Sequence, residues 1–140
     1  MSEPLFCEFA PILTNRPATK HQQTLKEIEM KFTDAISDFE NYPASTDAFV
    51  KLKKNMKDLA MEDPDYAAVY LVIYGCSKKH HLYYEDQEVT PETSASAKEQ
   101  MIEYLTFLRE PVSQRDRGSA LVALSKISYD YFTQGRVLEP

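Results

Sequence analysis

The stretch Asp63-Pro64-Asp65-Tyr66-Ala67-Ala68-Val69-Tyr70-Leu71-Val72-Ile73-Tyr74-Gly75-Cys76 decides the fold. No residue from Tyr66 to Cys76 is charged, so a helix here offers water no charged face, and a helix that is apolar all round is a buried one. Valine, isoleucine and tyrosine suit a strand as well, and periodicity alone does not choose between the two. The start signal does. Asp63 is a good N-cap, and Pro64 suits a first helical position, where its missing N–H costs nothing. The stretch therefore reads as a helix from residue 64 to about 80, central to an all-α domain.

The flanking segments repeat this punctuation. Over residues 19–42, Leu25, Ile28, Phe32, Ala35, Phe39 and Tyr42 recur at alternating three- and four-residue steps, the seam of an amphipathic helix that Pro43 ends. A second helix is expected over about 46–61, capped by Ser45 or Thr46, with Asp47 in its first turn and Phe49, Leu52, Met56 and Leu59 buried. Residues 82–89 read as the longest connection. Thr90-Pro91-Glu92 opens a fourth helix that runs to about Arg109 and is closed by Pro111. Ser113-Gln114-Arg115-Asp116 resembles a capping box before a last helix, with Ala120, Leu121, Leu124, Ile127 and Tyr131 inside and Gly135 as its stop. Short links between consecutive helices predict a single-domain, mostly antiparallel bundle of about five helices around the central apolar one. The expected organisation is an extended proline-containing arm over 1–17, the bundle over 18–135 and a loose tail over 136–140. The arm's Leu5, Phe6, Phe9, Ile12 and Leu13 suggest that it docks on the bundle or on a partner.

With 140 residues, 43% of them hydrophobic and 27% charged, the chain has the composition of one globular domain. Three glycines are too few for the tight turns of an all-β fold. A net charge of −6 opposes non-specific attraction to nucleic acid or anionic lipid. The two cysteines, Cys7 and Cys76, make no disulfide framework and suit a reducing compartment. The first residues lack the basic region of a secretory signal, and the apolar run is too short to cross a bilayer, so a cytoplasmic location is expected.

Chemistry is far less legible than architecture. Cys76 and His80, with His81 beside them, share a helical face and are workable metal ligands, yet a second Cys/His pair to complete a site is missing. Lys78, Lys79, His80 and His81 are explained as cations offsetting the partial negative charge of a helix C-terminus. A histidine base oriented by Glu85 or Asp86 has no nucleophile beside it. Glu99 and Glu103 lack the histidines of a di-iron bundle, and phosphate-loop and hydrolase motifs are absent. Tyr66, Tyr70 and Tyr74 form a stripe that either lines a partner groove or packs between helices, and Tyr83 and Tyr84 extend the candidates. Lys51, Lys53, Lys54 and Lys57 make a basic patch, and the acidic runs at 62–65 and 85–88 could mimic phosphates.

The expectation is a non-enzymatic protein-interaction module: an adaptor, regulator or inhibitor of a macromolecular partner, needing no cofactor and spanning no membrane. One alternative is a small-molecule or metal-binding bundle using Cys76, His80 and His81. A third is nucleic-acid association through the lysines, which the acidic balance disfavours. The first helix's seam suits packing within the chain or across a homodimer equally.

Overall fold

The computed structural model describes residues 20–134, and among them every regular element is helical. The seam from Leu25 to Tyr42 forms α1, Lys20–Asn41, and buries Ile28, Phe32, Ala35, Ile36 and Phe39. After the Pro43 turn comes α2, Thr46–Glu62, whose Ser45 cap accepts a bond from the Ala48 N–H. A short 3-10 turn, Pro64–Tyr66, leads into α3, Ala67–Tyr84. Thr90 caps α4, Pro91–Ser113, by accepting from the Thr93 N–H, and the last helix is α5, Arg117–Gln134. The arm over 1–17, the tail over 136–140 and the Gly135 stop lie outside the described residues.

Side-chain bonds fix the order of the helices. Lys98 of α4 donates to the carbonyls of Glu40 and Tyr42, supplying a cation to the unpaired C-terminal end of α1. Near the other end of α4, Ser113 donates to Glu29. The two helices thus run antiparallel. Helix α3 lies chiefly along α2, and α5 chiefly along α4. The core joins them through an edge-on pair, Phe39 against Phe49 at 5.2 Å, and through fully buried Met56, Ile73, Met101, Leu105, Leu108 and Ile127.

Several local expectations need correction. Asp63 does not cap α3: its side chain makes no capping bond, and its carboxylate turns inward instead. The helix also runs on to Tyr84, so residues 82–84 belong to it and not to the connection. It is not buried all round, because Leu71 is 63% exposed and a Cβ built on Gly75 would meet nothing within 4 Å. Absence of charge marks a low cost of burial and does not itself supply a neighbour on every side. Pro111 does not close α4, which continues to Ser113. The proline's missing N–H removes one helical bond there, and the turn beyond it supplies donors to the last carbonyls. The Arg115 N–H donates to the Val112 carbonyl and the Asp116 N–H to the Pro111 carbonyl, a Schellman ending with Arg115 at φ 54° where glycine is usual. Ser113 is no cap either. Asp116 caps α5, accepting from the Ser119 N–H and hydroxyl, and these bonds lower its carboxyl pKa.

Candidate interaction surface

The tyrosine stripe is mostly interior. Tyr66 and Tyr70 are buried and Tyr74 is half-buried, so the first two are not displayed to a partner. The Tyr70 hydroxyl donates to Asp63 at 2.7 Å, and its ring meets Phe32 edge-on at 5.8 Å. Tyr84 is buried as well, stacked beside His80 at 4.8 Å, which leaves Tyr83 as the exposed member of the set. The plain reading, rings packed between helices, holds for this stripe.

Beneath it lies a feature that sequence reasoning missed. Asp63 is 3% exposed and receives both arms of the Arg115 guanidinium, at 2.7 and 2.8 Å, besides the Tyr70 hydroxyl. The same guanidinium covers the Tyr66 ring at 4.0 Å. Burial pushes the Asp63 carboxyl up, but the Arg115 and Tyr70 bonds and the Arg115 charge outweigh it and hold it below its ordinary value. Burial and the neighbouring carboxylate raise Tyr70 far above the usual phenol range, so it remains a donor. Asp63, Arg115 and Tyr70 are matched to one another, while Tyr66 contributes its ring to the guanidinium. It fastens the start of α3 to the turn between α4 and α5.

Lys51, Lys54 and Lys57 are exposed and Lys53 is half-buried. Lys51 and Lys54 line an open groove of about 590 Å³ between α1 and α2, floored by Phe39 and Leu52. Asp38 and Asp58 line it too, so the local field is mixed in sign and not basic. The acidic run at 62–65 is spent on pairing: Glu62 with Lys31 at 2.8 Å, Asp63 with Arg115, and Asp65 with Arg117 at 3.7 Å. It presents no phosphate-like surface.

Cys76 and His80 share a buried face of α3, where the His80 ring lies on Phe49 at 4.0 Å. His81, one position round the helix, is half-buried. Among the described residues, no group of three or more His, Cys, Asp or Glu side chains is gathered to hold a metal ion. Nor, among them, is any helix long and apolar enough to cross a membrane.

The most unusual surface belongs to α5. Leu121, expected inside, is 65% exposed; Val122, Tyr129 and Phe132 are 70%, 71% and 83% exposed. Positions 121, 125, 129 and 132 fall on one helical side, with 122 adjoining, so these side chains share a face that Ser125 interrupts. The inward side holds Ala120, Ala123 and Ile127, with Leu124 and Tyr131 half-buried. Alanines let α5 approach α4 closely. Tyr104, buried in α4, then reaches across to donate to Asp130 at 2.6 Å and accepts from Gln100 at 2.9 Å. Some of the helix's largest apolar groups are thereby left outside. A signal for this was available: α5 carries apolar residues at every angle, more than one packing face can absorb. The chain matches no protein-family model, no curated protein and no solved structure, so its own residues carry the functional argument.

Proposed function

We propose that this chain is a non-enzymatic, cytoplasmic protein-interaction module, an adaptor, regulator or inhibitor that engages a protein partner through the outer face of α5. The observation that carries the reading is the row Leu121, Val122, Tyr129 and Phe132, each at least 65% exposed on one helix. Grouped exposed apolar side chains with polar surroundings are the usual mark of a binding surface, and tyrosine and phenylalanine are enriched in such contacts. An apolar helical face also suits the commonest way a helix is recognised, by burial of side chains about one turn apart. The ionisable cluster of Asp63, Arg115 and Tyr70 is internally matched and leaves no group poised for proton transfer.

The test is capture of a partner by the wild-type chain and by Leu121→Asp and Phe132→Asp variants whose helicity and unfolding midpoint match it. A loss of capture of tenfold or more in both variants is expected. Undiminished capture would overturn the assignment of this face. Stoichiometric metal in the purified protein, lost on Cys76→Ala, would favour the ligand-binding alternative instead.

A further inference from the structure

We propose that the outer face of α5 is first occupied by the chain's own N-terminal segment, residues 1–19, which a partner must displace. The inference rests on the reading of that face as a protein-binding surface and names its resident competitor.

The first argument is where that segment joins the bundle. Helix α1 starts at Lys20, and its first turns place Gln22, Leu25 and Glu29 beside Val112, Ser113 and Arg115. Helix α5 starts at Arg117, immediately beyond the same turn. Both helices therefore set out from one end of the bundle and run antiparallel to α4. The segment therefore joins the bundle at the end where α5 begins.

Length permits full coverage. The 18 residues of α5 span about 27 Å at the helical rise. Nineteen residues reach at most ~60 Å when extended, so the segment can run the length of the face after a turn. Tethering raises its effective concentration to about the millimolar range, so even a contact of modest intrinsic affinity would keep the face largely covered.

The apolar chemistry matches. Leu5, Phe6, Phe9, Ile12 and Leu13 supply apolar groups for Leu121, Val122, Tyr129 and Phe132. Charge does not oppose the contact: Glu3 and Glu8 are partly offset by Arg16 within the segment, and Arg117 and Lys126 beside the face already meet Asp65 and the Phe107 ring. Asp130, the one acid of α5, is already engaged by Tyr104. A partner then meets a face whose competent fraction is reduced, and its apparent affinity falls by that fraction.

The experiment uses the full chain with a nitroxide on Cys7; Cys76 is buried and shielded from the label. Amide signals of residues 121–132 should lose at least half their intensity to paramagnetic broadening. The broadening should persist in monomer and be absent when labelled chains are mixed with isotope-enriched unlabelled ones. A second variant, Phe6→Ser with Phe9→Ser, should abolish it and shift the α5 amides. Broadening that misses α5 overturns the inference, and broadening in the mixed sample overturns it in favour of a second copy. If α5 proves bare yet capture still requires Leu121 and Phe132, the inference fails and the functional reading stands. If the segment sits on α5 and capture ignores those residues, the functional reading is the one that fails.

Discussion

Replacing Arg115 probes the bundle's main polar fastening and separates two opposing effects at one position. Arg115→Ala removes both guanidinium bonds and leaves Asp63, 3% exposed, with the Tyr70 hydroxyl as its remaining side-chain donor among those bonds. Stranding one partner of a buried pair costs about 3–5 kcal/mol, and the partial exposure of Arg115 puts this case near the lower end, about 3 kcal/mol. Arg115→Gly loses the same bonds but relieves the left-handed backbone at φ 54°, which costs a non-glycine residue about 1 kcal/mol. Urea unfolding followed by circular dichroism reads the difference. With a slope of about 1.5 kcal/mol/M, alanine should lower the midpoint by roughly 2 M and glycine by roughly 1.3 M. The ordering is the decisive part, since helix propensity alone would make glycine the worse substitution. An alanine variant within 0.3 M of wild type, or a glycine variant less stable than alanine, would refute the account of this corner.

Other perturbations follow from the same geometry. Because the folded Asp63 carboxyl titrates below its ordinary value of 3.8, its contribution is complete above that pH and is lost as pH falls through the folded value; acid unfolding curves of Asp63→Asn should lack that component. Gly75→Ala fills open space in mid-helix and should stabilise the protein by about 0.5–1 kcal/mol in thermal melts. Tyr104→Phe removes the hydroxyl's bonds to Asp130 and from Gln100 and should cost about 1–2 kcal/mol, measured by urea titration. Ile127→Ala should cost about 2–5 kcal/mol, whereas Leu121→Ala, next in sequence to buried Ala120 yet itself exposed, should change stability by less than about 0.5 kcal/mol.

The helices were legible because their signals are local. A serine, threonine or proline at the right offset needs only its own neighbours along the chain, and Ser45, Thr90 and Pro91 act as their positions imply. The ending of α4 was not legible because Pro111 is only a statistical stop, and the Arg115 turn that closes the helix pairs the later Val112 and Pro111 carbonyls. Asp63 shows the same limit more sharply. Ahead of a proline it has the pattern of a cap, and only its contact with Arg115, 52 positions away, turns the carboxylate inward. A pairing between distant residues leaves no mark on periodicity.

The outer face of α5 illustrates a different kind of opacity. Apolar composition reports how little a side chain loses by leaving water, and not which of two sides finds a neighbour. In α5 both sides qualify, and the outcome is set by distance: Ala120 and Ala123 bring the helix close to α4, and that approach leaves Leu121, Val122 and Phe132 on the far side. Folding stability gains from the close approach, while the outward leucine and phenylalanine add little to it. A helix that spends its smallest apolar residues on the core and holds some of its largest in solvent would gain from a second burial, as proposed above. Burial against another surface would return about 25 cal/mol per Å² of apolar area before the cost of association. That asymmetry within one helix is the physical basis of the proposal that α5 carries the binding surface, and of the expectation that charge at position 121 or 132 disturbs binding far more than folding.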